Sequence, residues 1–375
     1  MATAMPARAR FAFLIHPRTD VSADLAVVNP LLGLVPTGVV EKAMARLPLR
    51  PWVHGSIEAA DRPGEPFGEI IGVPLSPRLL LGPDRALVQR QVDAAVDVAV
   101  ARGATLVGLG SLTAPVTAGG AKLRRRTDVG VTNGNAFTAA ITVEAVERVV
   151  GVLPSRPVIA LVGANGSVGT AVARSIARAG LAGDLLLVGR TPSSLAALAG
   201  DIGGRWSIDM ADCRSADLVV LMTSAADAVL GGEHLKAGAI VIDDTQPRNT
   251  QPDLVERRPD VLIIDGGVVS TPGLRRRGRY LGVPDEQSFA CLAETALLAL
   301  DGQQGHGTIG RPSLEQVDRV RRLAAQHAHL GFGLAAPTSF GHPVAVPGWN
   351  TPAVQPAVPQ DLAVAPKALA EEASR

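Results

Sequence analysis

The stretch that most constrains the fold runs Pro157-Val-Ile-Ala-Leu-Val162, then Gly163-Ala-Asn-Gly166-Ser-Val-Gly169, then Thr170-Ala-Val-Ala-Arg-Ser-Ile-Ala-Arg178. It reads as a short buried strand, a glycine turn and the start of an amphipathic helix. Glycines let the backbone turn tightly and approach a pyrophosphate. The free N–H groups and dipole of the helix N-terminus then hold the negative charge. The spacing is GxxGxxG rather than GxGxxG, and in a chain with 40 glycines the triplet alone is weak. The strand before it and the helix after it turn it from an ordinary turn into a dinucleotide site. Gly163, Asn165, Gly166, Ser167, Val168 and Gly169 are its candidate residues.

From residue 157 the pattern alternates strand and helix, with strands expected at 158–162, 184–189, 217–222, 239–243 and 261–265. Such alternation predicts an α/β fold, a Rossmann-type doubly wound parallel sheet. This NADP-binding domain spans 154–283, with Pro154-Ser-Arg-Pro157 as its hinge. An α/β substrate domain spans 11–153. It has strands at 11–15, 69–73 and 105–109, and a helix opened by Pro83-Asp84. Val88, Val92, Val96 and Ala99 recur there at helical spacing before Gly103. A further apolar helix is expected at 143–152. Residues 20–67, broken by six prolines, remain unassigned. Helices at 284–301 and 313–329, within 284–331, return to the substrate domain. Residues 1–10 and 332–375 are expected to be disordered tails.

Net charge of +1 and 3% aromatic residues argue against nucleic acid as a partner. Cys213 and Cys291 are the only cysteines, so no disulfide framework exists, and the cytoplasm is the expected location. No apolar run reaches the roughly 18 residues of a membrane span. No apolar signal segment follows Met1–Arg10. No metal site is assigned.

The second strand of the nucleotide unit ends Leu185-Leu-Leu-Val-Gly189-Arg190-Thr191. NAD enzymes usually place an acid here against the ribose hydroxyls. Arg190 instead suits a 2′-phosphate, which makes NADPH the expected cofactor, with Thr191 and Ser193 adding hydroxyls. A solvated strand-end charge is the plainer alternative for Arg190. Thr223 and Ser224, leaving the next strand, face the ribose and nicotinamide side. Gly266 and Gly267, after the last strand, suit close approach to a flat ring, or form a plain turn.

Cys291 lies in Ser288-Phe-Ala-Cys291-Leu-Ala-Glu294-Thr-Ala-Leu, on a helix expected to start near Asp285. Phe289, Ala293, Ala296 and Leu300 share one face, and Cys291 falls on the other side near Glu294. A helix N-terminus lowers a thiol's pKa and favours the nucleophilic thiolate. Glu294 opposes that as an anion, or serves as an acid or base if its own pKa is raised. The residues alone leave an inert cysteine and a nucleophile both open; Cys213 reads as structural. Ser111, in Gly108-Leu-Gly110-Ser111-Leu-Thr113, and Asn133 and Asn135, in Val131-Thr-Asn133-Gly134-Asn135, are candidate substrate-cleft polars. Simple helix capping is the alternative for the asparagines. His16 ends the first strand and faces either the same cleft or the core.

The ordered set FAFLIHPRT, GLGSLT, TNGNAFTAA, VGANGSVGTAV, GRTP, IDGGVV and SFACLAETALLAL resembles the long-chain acyl-(acyl-carrier-protein) reductases known from cyanobacteria. It runs from about residue 11 to about 302, and the cysteine helix is its most specific member. The resemblance implies reduction of a fatty acyl thioester to an aldehyde with NADPH, the acyl group held on Cys291, with Glu294 retained. It carries the glycine loop onto Gly163, Gly166 and Gly169 and the phosphate arginine onto Arg190. Residues 20–67, which help shape the family's acyl pocket, match poorly. An acidic acyl carrier protein is the implied partner. Arg124-Arg-Arg126 and Arg275-Arg-Arg277 with Arg279 are candidate docking clusters or simply solvated surface. The rival is a shikimate-dehydrogenase-like or amino-acid-type NADP-dependent dehydrogenase of a small polar substrate. Thr113-Ala-Pro115 and Asn133-Gly-Asn135 echo it, but Lys122 is displaced and no Asp follows Asn135-Ala136.

Overall fold

The structure, a computed structural model, describes residues 10–18, 20–22, 24, 30–225, 229–246, 248–278 and 283–349. Residues 1–9, Arg279 and 350–375, which figure in the expectations above, lie outside the described residues.

The first sheet is mixed and six-stranded. Its strands are β1 (Phe11–Ile15), β2 (Trp52–Ala59), β3 (Pro66–Gly72), β4 (Leu106–Leu109), β5 (Gly130–Thr132) and β13 (Leu274–Gly278), in the order β13-β2-β3-β1-β4-β5. β1, β3, β4 and β5 run parallel, and β2 and β13 pair antiparallel at one edge. Buried on both faces, β1 and β4 read as the continuous apolar runs expected of covered parallel strands. One cover is α2 (Arg85–Ala101), whose Asp84 cap accepts from Leu87 N–H at 2.9 Å and whose Val88, Val92, Val96 and Ala99 are buried. The segment left unassigned at 20–67 supplies α1 (Thr37–Arg46) and β2. None of its prolines lies inside α1 or β2, and Pro66 opens β3.

The second sheet is wholly parallel: β6 (Val158–Val162), β7 (Asp184–Val188), β8 (Arg205–Ser207), β9 (Leu218–Leu221), β10 (Ile240–Asp243) and β11 (Leu262–Asp265). Its order, β11-β10-β9-β6-β7-β8, is that of the Rossmann fold, with the switch point between β6 and β9. Two helices join the sheets, α3 (Asn135–Val150) and α6 (Ala290–Leu300), and both contribute to a core that contains residues of each sheet. α4 (Ser167–Ala179), α5 (Pro192–Ile202) and α7 (Leu314–Gln326) complete the helices used below.

Three expectations change. The cysteine helix starts at Ala290 rather than near Asp285, because Gln287–Phe289 (β14) pairs antiparallel with Val268–Ser270 (β12). Leu274–Gly278 leaves the nucleotide domain to form the edge strand β13 of the first sheet. Residues 332–349 are not a loose tail: Phe332 and Trp349 are buried, and Trp349 Nε1 donates to the Ala335 carbonyl at 3.0 Å. Gly333–Leu334 (β15) adds a short antiparallel strand beside β12. Two apolar rings, this pairing and a short hairpin, β16 (Thr338–Ser339) and β17 (His342–Pro343), anchor a segment whose proline and alanine content suggested disorder.

Candidate active site

The three glycines of the 163–169 loop do separate work. Gly163 has φ +84°, and a Cβ there would lie 2.8 Å from the Met222 carbonyl. At Gly166 a Cβ would come 3.0 Å from the Gly163 carbonyl. At Gly169, inside α4, it would come within 2.3 Å of that carbonyl, so only glycine permits this helix–loop approach. α4 begins at Ser167 with no side-chain cap, which leaves its first N–H groups for an anion. Arg190 is exposed just past the end of β7, and Thr191 N-caps α5. Asn165 braces the loop by donating to Ser194 Oγ at 3.0 Å. Loop, helix end and arginine fit a dinucleotide with a 2′-phosphate.

A cleft of about 1960 Å³ lies between the two sheets. His16, Ser111, Asn133, Asn135, Gly166, Ser167, Val168, Thr223, Ser224, Gly266, Gly267 and Cys291 all line it. Met44, Trp52 and Val53, from the unassigned segment, give it an apolar wall. Gly163, Asn165, Gly169, Arg190, Thr191 and Glu294 do not face it.

Cys291 is the second residue of α6. Burial pushes its thiol up to about 12, and the amides of Leu292, Ser111 and Cys291 pull the other way. The thiolate-favouring helix N-terminus is therefore outweighed by desolvation, and the resting group is a thiol. Ser111 adopts φ +46°, an uncommon conformation for a residue with a side chain, and this aims its N–H at the sulfur. The next amide, Leu112 N–H, donates to His16 Nε2 at 3.3 Å, while His16 Nδ1 lies 2.7 Å from the Pro17 carbonyl. Burial lowers the His16 pKa, so the ring is neutral with Nε2 as acceptor. One turn thus binds both groups. Ser111 Oγ also donates to the Gln246 carbonyl at 3.2 Å, tying the turn to the nucleotide side.

Glu294 is not a cleft acid. It is fully buried and accepts from Thr132 Oγ1 at 2.6 Å and Phe137 N–H at 2.8 Å, with Thr308 and the Ala136 N–H also bonded to it. It caps the first turn of α3 from across the core. Burial raises its pKa.

Asn133 is a strut as well. Its amide donates to the carbonyls of Gly119 (3.0 Å) and Gly310 (2.8 Å), and its Oδ1 accepts from Asn135 N–H at 3.0 Å. This local capping replaces substrate binding as its main employment. Asn135 Nδ2 donates to Ser167 Oγ (2.7 Å), which donates to the Gly310 carbonyl (2.6 Å). Arg311, unmarked by any motif, donates to the Asn165 carbonyl at 2.9 Å and so reaches the glycine loop from the segment after α6.

On the far side, Thr223 Oγ1 bonds Asn249, and Ser224 is exposed. Asp243 organises the loop after β10 by accepting from Thr250 Oγ1 (2.7 Å) and Asn249 N–H (3.1 Å). Asp244 follows it into the cleft. Gly267 has φ +66°, and a Cβ there would lie 2.2 Å from Asp244 Oδ1, so the paired glycines make room for this carboxyl. Of the arginine clusters, Arg126 pairs with Asp97 and Asp128, Arg276 with Asp285 and Arg277 with Glu58. Arg124, Arg125 and Arg275 are exposed. Lys122 donates to the Val116 carbonyl at 3.0 Å and is not on the cleft. Cys213 is buried in the nucleotide domain, its thiol pushed up to about 11. Among the described residues, no helix is long and apolar enough to cross a membrane.

No protein-family model matches the chain. It is 30% identical over 280 residues to the aminotransferase PigE of Serratia sp., covering 72% of this chain and 33% of that protein. It is 27% identical over 215 residues to the long-chain acyl-(acyl-carrier-protein) reductase of Synechococcus elongatus, covering 54% of this chain and 62% of that one. The chain thus spans under two thirds of either relative. Among solved structures, shikimate 5-dehydrogenase from Thermus thermophilus with NADP(H) and shikimate is 18% identical, at TM-score 0.37, over 84% of this chain and 99% of that one. Glutamyl-tRNA reductase from Methanopyrus kandleri is 26% identical, at TM-score 0.28, over 47% and 46%.

Proposed function

We propose that the chain is an NADPH-dependent reductase that converts an acyl thioester, on acyl carrier protein or coenzyme A, to an aldehyde through an acyl group held on Cys291. The observation that carries this reading is the shared cleft. A cysteine at a helix N-terminus, ringed by three amides, opens onto the same space as the uncapped helix of the glycine loop. The similarity to the Synechococcus reductase supports the substrate class.

The first turn of α4 and the three glycines hold the pyrophosphate, and Arg190 with Thr191 holds the 2′-phosphate. When bound there, NADPH supplies hydride. His16, its Nε2 accepting from Leu112 N–H, holds the Ser111–Leu112 turn in place, and the proton of the Cys291 thiol passes to the departing carrier thiol. The sulfur then attacks the thioester carbonyl and expels the carrier thiol. The amides of Ser111, Cys291 and Leu292 stabilise negative charge at this point, on sulfur before attack and on oxygen after it. An enzyme thioester suits the next step, because it stays electrophilic and returns a good leaving group. Among the described residues of the two clusters, the exposed Arg124, Arg125 and Arg275 would face an acidic carrier.

Mass spectrometry after incubation with an acyl-CoA, without NADPH, tests the reading. The expected result is an acyl adduct on Cys291 that Cys291→Ala abolishes together with aldehyde formation. Aldehyde production by Cys291→Ala at the wild-type rate would overturn it.

A further inference from the structure

Asp244 is a titratable group of the cleft that the mechanism above leaves unused. Asp244 stands where the loop after β10 enters the cleft, and its Oδ2 lies 2.5 Å from Thr142 Oγ1 of α3. The same hydroxyl lies 2.8 Å from the Thr138 carbonyl. A threonine hydroxyl has one proton, and a carbonyl only accepts. If that proton goes to Thr138, the short contact to Asp244 is a hydrogen bond only when the carboxyl supplies the proton. The arrangement therefore accommodates Asp244 as a neutral acid. Burial pushes the carboxyl up to about 7, with the adjacent Asp243 adding to it and the Thr142 hydrogen bond acting the other way.

Asp244 meets α3 and the β11–β12 turn. From α3 it meets the Thr142 hydroxyl, and from the β11–β12 turn it meets Gly266 and Gly267. Asp243 is the charged group acting on it. Arg248, farther along the same loop, is engaged with Asp265 at 2.9 Å. The Gly267 carbonyl accepts from Ala290 N–H at 2.9 Å, so one glycine separates Asp244 from the first turn of the Cys291 helix.

We propose that Asp244 is the proton donor of the reduction step, placed on the cleft beside Thr142 and the glycine pair; this rests on the acyl-enzyme reading. NADPH bound in the glycine-loop site would supply the hydride for a C–H bond at the acyl carbon, and the carbonyl π pair would move to oxygen. The oxyanion re-forms its carbonyl, the C–S bond breaks with its pair going to sulfur, and the sulfur takes the proton of Asp244. Aldehyde, Cys291 thiol and oxidised dinucleotide result. Asp244 regains its proton from solvent through the open cleft.

Asp244→Asn tests this at two points. The acyl adduct on Cys291 should form as in wild type, while NADPH-dependent aldehyde release from the preformed acyl-enzyme slows about 100-fold or more. Infrared spectra of the ligand-free protein below and above neutral pH should show a protonated-carboxyl band that titrates in wild type and is missing in the variant. Aldehyde release at the wild-type rate, or no such band in wild type, overturns the assignment. If wild type forms no adduct, the acyl-enzyme reading falls and takes this one with it, an outcome distinct from the other two. Should Asp244→Asn fail to fold, Thr142→Val serves. It should slow release and move the band's midpoint, and an unchanged rate and midpoint count against the proposal.

Discussion

Gly134 and Cys291 compete for the same space: a Cβ built on Gly134 would lie 2.3 Å from the Cys291 Cβ and 2.4 Å from its Cα. Gly134 also has φ +72°, a conformation that costs a side chain about 1 kcal/mol. Helix α6 thus rests its reactive turn on the bare backbone that opens α3. Gly134→Ala should push Cys291 out from under the Ser111 amide. A displacement near 1 Å costs about 100-fold in turnover, so steady-state aldehyde formation should fall by about that factor. NADPH affinity, followed by fluorescence titration, should stay within a few-fold, because the glycine loop lies on another element.

In the proposed function Arg190 carries the choice of cofactor. It is exposed at the end of β7, where an acid would otherwise meet the ribose. Charge-assisted bonds to a 2′-phosphate contribute roughly 1.5–3 kcal/mol, or about 10- to 100-fold in affinity. Arg190→Ala should weaken NADPH binding by that factor and leave NADH binding unchanged. Equal losses for both would count against the 2′-phosphate role.

What was legible in the sequence was local. The 157–178 stretch carried its strand, turn and helix within one window, and β6, the loop and α4 stand there. The unread features depend on distant partners. Asp244 sits in Ile-Asp-Asp-Thr, which reads as a strand end, and its partner Thr142 is 102 residues away. Glu294 lies one turn from Cys291, so spacing suggested shared chemistry. Its oxygens instead serve Thr132 and Phe137, 162 and 157 residues upstream. The helix start moved because Gln287–Phe289 found a strand partner that periodicity could not announce.

Replacing Glu294 separates structure from chemistry. Its carboxylate is surrounded by donors, so Glu294→Gln turns an NH2 group toward N–H or O–H groups and should cost about 1–3 kcal/mol of stability. Glu294→Ala, which leaves those donors unpaired beside a cavity, should cost more. Both losses are measurable by denaturant titration. Acylation of Cys291 per folded molecule should remain within a few-fold of wild type in the Gln variant. A hundredfold loss there would restore Glu294 as an acid or base.

Asp244 also leaves a mark on stability. Its ordinary value is 3.8 and the folded value is about 7, so the folded state binds its proton more tightly. The stabilisation this gives is full below the ordinary value and is lost as pH rises through about 7. Asp244→Asn lacks that dependence. The melting temperature of the variant minus that of wild type should therefore climb between about pH 4 and pH 8. A flat difference would show that Asp244 does not titrate in this window.

Asp265 ties the middle of the segment 332–349 to the cleft. Asp265 accepts from Thr338 Oγ1 (2.7 Å), Gly341 N–H (2.8 Å), Phe340 N–H (3.1 Å) and Arg248, whose guanidinium lies 5.5 Å from the centre of the Phe340 ring. Thr338, Phe340 and Gly341 line the cleft beside Gly266 and Gly267. Asp265→Asn replaces one acceptor oxygen with a donor that faces donors, at a cost of about 1–3 kcal/mol. The far end stays pinned by Arg148, which donates to the Trp349 carbonyl at 2.6 Å, so the hairpin should open locally while the two sheets stay folded. Since cleavage of a locally opened segment follows its open population, limited proteolysis within 332–349 should quicken about tenfold. Unchanged cleavage would mean that the buried rings of Phe332 and Trp349, rather than Asp265, hold the segment in place.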